Sequence, residues 1–154
     1  MVRSAADVPL LMIAFNRPEK TQRVFEAVRA AAPRRLYVAA DGPRPHVPSD
    51  ADRCAHTRTL LENVDWPCEV QRLYQTSNLG CKRGVGSAID WFLAHEESGI
   101  ILEDDCLPSP DFFAFCAELL ERYRESSEVM MIGGHNPLGL WERSEASYVF
   151  TRTT

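Results

Sequence analysis

Three acids stand side by side, Glu103, Asp104 and Asp105, in the stretch GIILEDDCLPSPDFF, after an apolar run and before a proline-rich turn. Adjacent carboxylates repel, and burying them without a cation or hydrogen-bond donors costs several kcal/mol. The pattern therefore predicts a positive partner, with a solvated acidic turn as the competing reading. Acids at the end of a strand suit a hard divalent cation. Magnesium or manganese binds through one or two carboxylates and keeps its other positions for water and phosphate oxygens. On that chemistry the same edge is expected to hold a nucleotide diphosphate, its pyrophosphate neutralised by the metal, with Arg17, Lys82 and Arg83 adding positive charge.

The elements that must position these residues can be read from the apolar pattern. VPLLMIAF is a continuous apolar run of the kind found in strands covered on both faces. NRPEKT opens a helix whose Thr21, Val24, Phe25 and Val28 share one face. RLYVAA predicts a second strand, ending in the loop ADGPRPHVPS, and Asp52 to Asn63 a helix with Leu60 and Leu61 inward. CEVQRLY alternates as a third strand. SNLGCKRG is a glycine-bearing turn into a helix with Val85, Ala88, Ile89, Phe92 and Leu93 on one face. GIILED is a fourth strand; Ser109 and Pro110 suit the cap and first turn of a helix carrying Phe112, Phe113, Cys116, Leu119, Leu120 and Tyr123. VMMIGG predicts a fifth strand, and the tail carries one more apolar run, YVF.

Strands alternating with helices predict an α/β domain with a mostly parallel sheet and helices on both faces, a three-layer α/β/α arrangement of Rossmann-like type. Ligands of such sheets bind outside the carboxyl ends of the strands. The polar residues gather there: Asn16 and Arg17, Asp41, Asn78 to Arg83, and Glu103 to Asp105.

The chain has 154 residues, which suits one domain. Lysine plus arginine number 17 against 22 acids, a net charge of −5, which argues against a general nucleic-acid binder. VPLLMIAF is too short to span a bilayer and lacks the flanks of a signal peptide. Five cysteines, never in a C-x-x-C pair, make a disulfide framework or zinc knuckle a poor reading and a reducing cytosol the simplest one. Cys106 and Cys116 are expected to be small buried hydrophobes. Of the familiar glycine signatures, neither G-x-G-x-x-G, nor a Walker loop, nor a G-x-S-x-G elbow is present.

Four segments together, VPLLMIAFNRPEKTQRVFEAV, the ADG at Ala40 to Gly42, SNLGCKRGVGSAIDWFL and ILEDDCLPSPDFF, resemble the nucleotide-sugar-binding half of GT-A-fold glycosyltransferases. The resemblance runs over roughly residues 9 to 136 and is nearest to bacterial family-2-like sugar transferases. The acidic motif with its P-D-F-F sequel is also similar to that of N-acetylglucosaminyltransferase I. The resemblance implies a nucleotide-diphospho-sugar transferase fold and transfer of a sugar from a UDP-sugar to a saccharide or other hydroxyl acceptor, with Mn2+ or Mg2+ and inversion as the expected course. Retention stays open. It makes Asp105 the metal ligand and turns Glu103 and Asp104 toward ribose and donor sugar. Asn16 and Arg17 would contact the nucleotide, Asp41 the imide N–H of uracil, and Asn78, Gly80 and Arg83 the base and sugar side.

Plainer readings compete: Asn16 as a helix cap, Asp41-Gly42 as a tight turn, Lys82 and Arg83 as a solvated helix start, and His135, whose other reading faces it to the acceptor or the metal, as a loop residue without duty. Against the family, the chain stops at YVFTRTT, before the segment that normally supplies an acceptor platform and a base. The expectation is therefore a single nucleotide-sugar-binding domain over 1–154, the N-terminal part of a longer enzyme, with Glu142 and Glu145 as unplaced candidates for the base. A cytoplasmic protein fits that expectation; peripheral association at the inner membrane through a lipid-linked acceptor is a further option, which no basic amphipathic stretch supports. A metal-dependent sugar-nucleotide nucleotidyltransferase and a non-catalytic nucleotide-sugar-binding module remain the alternatives.

Overall fold

The computed structural model describes residues 4–135 and Tyr148. Four strands, β1 (Leu10–Ala14), β2 (Arg35–Ala40), β3 (Glu69–Tyr74) and β4 (Ile100–Glu103), form one sheet in the order β3-β2-β1-β4. Every pairing is parallel, with Leu10 opposite both Leu36 and Ile100. β1 is buried along its whole length, as a central strand covered on both faces requires. The edge strand β4 alternates between buried and exposed residues, whereas β3 is half-buried or exposed throughout, without strict alternation.

Among the described residues four α-helices connect the strands and extend beyond them: α1 (Pro18–Ala31), α2 (Ser49–Glu62), α3 (Cys81–Leu93) and α4 (Phe112–Arg122). On one face of the sheet, Val24, Phe25 and Val28 of α1, Leu61 of α2 and Phe113, Cys116 and Ala117 of α4 pack on Met12, Val38 and Leu102. On the other face, Ala88 and Phe92 of α3 pack on Leu11, Ile13, Tyr37 and Ala39. The chain is thus an α/β protein with an all-parallel sheet and helices on both faces, compatible with a Rossmann-like fold. Among the described residues no helix is long and apolar enough to cross a membrane.

The α1 pattern holds as read, with Pro18 at the first turn, where its missing N–H does no harm. Elsewhere the structure corrects the sequence reading. α2 begins at Ser49 rather than Asp52, because Asp50 is tied by Arg44 of the preceding loop and by Asn16 after β1. Its inward face is Cys54, Thr57 and Leu61, and Leu60 is only half-buried. Leu93, expected inward, ends α3 and is 49% exposed; it lies one helical step past Phe92 and off the face that meets the sheet. Ser109 and Pro110 form a turn, with the Ser109 carbonyl accepting the Phe112 N–H, and α4 starts at Phe112.

The fifth strand expected at VMMIGG is not formed. Residues 129–134 carry no regular structure, and Met130 and Met131 are 88% and 69% exposed. An apolar run becomes a strand only beside a neighbour that completes its ladder, and among the described residues none lies beside this one. Cys116 is buried as expected, but Cys106 is exposed in the acidic turn. Of the run YVF, Val149 and Phe150 lie outside the described residues, as do Glu142 and Glu145.

α3 is held on its face of the sheet chiefly by Phe92, whose ring meets Tyr37 edge-on at 5.0 Å between centroids and closes over Gly99. A Cβ at Gly99 would stand 2.4 Å from that ring. Phe92→Ala is expected to lower the unfolding free energy by about 3–5 kcal/mol in a urea titration. A loss under about 1 kcal/mol would mean that this face collapses readily around the deletion.

Candidate functional site at the carboxyl ends of the strands

In the order β3-β2-β1-β4, the connection from β1 runs to β2 on one side while β4 lies on the other. The carboxyl ends of β1 and β4 therefore border the crevice where open parallel sheets bind ligands. β1 runs out into Phe15, Asn16 and Arg17, and β4 into Asp104 and Asp105, with Glu103 its last residue. Parallel pairing in register, with Ile13 opposite Glu103, brings these two ends together.

Asp104 is buried to 1% exposure. Its Oδ2 accepts the Phe15 N–H at 3.1 Å, and its Oδ1 lies 2.6 Å from Arg17 Nη2 in an ion pair without hydrogen-bond geometry. Burial raises its carboxyl above the usual range, more than the Phe15 N–H and the Arg17 charge lower it. Asp105 is partly exposed; its Oδ2 lies 2.6 Å from Arg17 Nη1 and 4.0 Å from Lys20 Nζ. Burial works against the Arg17 charge, but the two acids outweigh it and hold the guanidinium protonated. The positive partner that the acids require is thus supplied within the chain. Glu103 is exposed on the α3 side of β4 and lines the adjoining cavity.

That cavity, about 360 Å³, lies between α3 and the ends of β1 and β2. Ile13, Ala39, Leu73 and Val85 give it an apolar floor and wall, and Arg17, Asp41, Asn78, Gly80 and Asp104 stand at its rim. Asp41 holds the rim together. Its Oδ1 accepts from the Gly42 and Leu79 N–H groups at 2.8 and 2.9 Å, and its Oδ2 from Asn78 Nδ2 and the Gly80 N–H at 2.9 and 3.1 Å. Four donors fill the acceptor sites of a carboxylate, so a uracil imide would reach Asp41 only if one of them yielded. The close approach needs small residues: a Cβ at Gly42 would stand 2.5 Å from the Ser77 backbone, and Gly80 has φ +78°.

Asn16 does not cap α1. Its Nδ2 donates to Asp50 Oδ1 at 2.7 Å, and Arg44 binds the same carboxylate through Nε at 2.6 Å, Nη2 at 3.0 Å and its backbone N–H at 3.1 Å. Arg44 also lies over the Phe15 ring, 5.4 Å from its centroid, and lines the cavity. Arg58 donates to the carbonyls of Asp41 and Gln75, at 3.2 and 2.6 Å, joining the ends of β2 and β3. Arg44, Asp50 and Arg58 escaped the sequence reading, since nothing in PRPHVPSD marks an ion pair to a buried acid. The signal available was a short loop holding one arginine and one acid beside a helix start.

Of the residues expected at the site, Asn16, Arg17, Asp41, Asn78, Gly80, Glu103, Asp104 and Asp105 come together at this edge. Arg83 and Lys82 are exposed on the first turn of α3 and do not line the cavity. His135 is exposed after α4. Among the described residues no group of three or more His, Cys, Asp and Glu side chains is gathered to hold a metal by itself. A larger cleft, about 910 Å³, opens at the opposite end of the sheet. Arg35 and Glu96 in its wall are already paired to each other at 2.7 Å. Protein-family models and curated proteins were both compared with the chain, and none matches.

Asp50 gives this region a pH signature. Hydrogen bonds from Arg44, then Asn16, outweigh burial and hold its carboxyl well below the usual carboxylate range. A depressed folded-state pKa means that the stability it contributes is present above the unfolded value, about 3.9, and is lost as pH falls below that. Asp50→Asn is therefore expected to lower the urea midpoint clearly at pH 7 and much less near pH 2, because the loss runs from the unfolded value down toward the much lower folded-state pKa. An equal loss at both would show that the charge of Asp50 contributes nothing.

Proposed function

We propose that the crevice between β1 and β4 binds the diphosphate of a nucleotide-sugar with a divalent cation. On this reading the chain carries the donor site of a GT-A-type glycosyltransferase, with a UDP-sugar as donor and a hydroxyl as acceptor. The observation that carries the proposal is the convergence of Arg17, Asp104 and Asp105 at the sheet's switch point, beside a cavity that Arg17 and Asp104 line and that is large enough for part of a nucleotide. The likeness of ILEDDCLPSPDFF to the acidic motif of that family supports it.

The residues fit a cation of one kind. Asp105 is accessible, and its Oδ1 has only a thiol contact from Cys106 at 3.9 Å. Asp104 Oδ1 beside it is buried without a hydrogen bond. One or two carboxylates suit magnesium or manganese, provided that phosphate and water complete the shell; they do not suit zinc, which takes nitrogen and sulfur ligands. When bound, the cation supplies charge stabilisation to the departing diphosphate. Arg17 is placed to pair with phosphate oxygens through its planar fork. Asp104 orients Arg17 and, through the Phe15 N–H, the end of β1. Arg44 over Phe15 and the rim built on Asp41 border the nucleoside side of the cavity.

One observation favours a second reading, a non-catalytic binding module: Arg17 already neutralises the acids inside the chain. Calorimetric titration of UDP with manganese, and again with chelator, separates the two. Manganese-dependent binding that falls at least about tenfold in Asp105→Ala is the expected result. UDP binding that ignores both manganese and Asp105 would favour the module, and absence of UDP binding would overturn the proposal.

A further inference from the structure

Arg17 stands where a divalent cation would stand. Its Nη2 and Nη1 lie 2.6 Å from Asp104 Oδ1 and Asp105 Oδ2, and Lys20 Nζ lies 4.0 Å from the same Asp105 oxygen. A divalent ion approaching Asp105 alone meets two like charges at close range in a partly desolvated crevice, where repulsion is stronger than in water. It also has to separate Asp104 from Arg17, leaving a buried carboxylate without the charge that compensates it. Metal alone is therefore a poor ligand of this turn.

A diphosphate alters that balance. A guanidinium pairs with two phosphate oxygens as readily as with two carboxylate oxygens. Arg17 lines the cavity, and its side chain is 37% exposed, so it has room to turn from the acids toward an anion in the crevice. It sits at the N-cap position of α1, so the turn involves side-chain torsions and leaves the helix in place. Once Arg17 leaves, Asp104 and Asp105 become an uncompensated pair, which a divalent cation satisfies.

We propose that Arg17 is a placeholder cation: it neutralises Asp104 and Asp105 in the ligand-free chain and yields them to a divalent metal when a diphosphate draws it away. Metal and diphosphate then bind together, each strengthening the other. The inference rests on the donor-site reading above. It adds a coupling that the reading does not require, since a donor site could equally take up metal first.

The test is manganese binding followed by electron paramagnetic resonance of the free ion, with no acceptor and no turnover. Wild type, Arg17→Gln and Arg17→Lys are compared with manganese alone and with saturating UDP. In wild type, UDP is expected to tighten manganese binding by about tenfold or more, within the range of ordinary site-to-site coupling. Arg17→Gln is expected to bind manganese alone at least about fivefold more tightly than wild type, and to lose most of the gain from UDP. Arg17→Lys keeps a charge but reaches a single carboxylate; it is expected to fall between the two and serves if the glutamine variant does not fold. Wild-type and variant chains that bind manganese alone equally well, with UDP still promoting it, would overturn the placeholder and leave the donor site standing. A wild-type chain that binds neither manganese nor UDP would overturn both.

Discussion

The carboxyl edge of the sheet depends on one charge problem, the burial of Asp104 beside Asp105, and on its solution by Arg17. Asp104 is enclosed where β4 ends, and two neighbouring carboxylates at such a place need a cation. Arg17, 88 residues away in the chain from Asp105, supplies it across the junction of β1 and β4. The Phe15 N–H completes the arrangement by bonding Asp104 directly to the strand next door. Removing one member of a fully buried ion pair costs about 3–5 kcal/mol. With Arg17 37% exposed, this pair is worth less than that. A pair of this strength is compatible with the exchange of Arg17 proposed above.

The rest of the edge serves to keep that crevice rigid and open. Asp41 gathers the β2 end and the start of α3 through four donors, and Asp50 gathers Asn16 and the Arg44 loop. Both carboxylates act on backbone or on other side chains of the chain itself, which leaves Arg17, Glu103 and Asp105 as the charged groups most available to a ligand. Supporting residues locked by hydrogen bonds hold the groups that face a ligand in a defined geometry. The apolar floor under them comes from the same strands whose ends carry the charges, since Ile13 and Ala39 precede the polar segments by only a few residues.

Much of this was legible in the sequence because parallel sheets send their loops to one end. Apolar runs located β1, β2 and β4 and the alternating CEVQRLY located β3, and α/β alternation then predicted that Asn16, Asp41, Asn78 and the acids would meet. What stayed hidden was pairing over long separations. The acids announced a need for positive charge, yet nothing local told that Arg17 meets it while Arg83 points elsewhere. Asp50 looked like an ordinary charge in a polar loop, and only the fold gives it Arg44 and Asn16. VMMIGG had strand composition without a neighbour, and Cys106 sat in a turn whose exposure its composition did not reveal. Local pattern specifies elements; partners across the sheet come from topology.

Paramagnetic broadening in a heteronuclear NMR spectrum locates most directly the nucleotide and metal proposed for the β1–β4 crevice. With UDP present and manganese added substoichiometrically, the amide signals of Phe15, Asn16, Arg17 and Glu103 to Cys106 are expected to be lost selectively. Signals of Arg35, Glu96 and Ser98, at the opposite end of the sheet, should persist. Broadening centred on that opposite end, or none that saturates with UDP, would contradict that proposal.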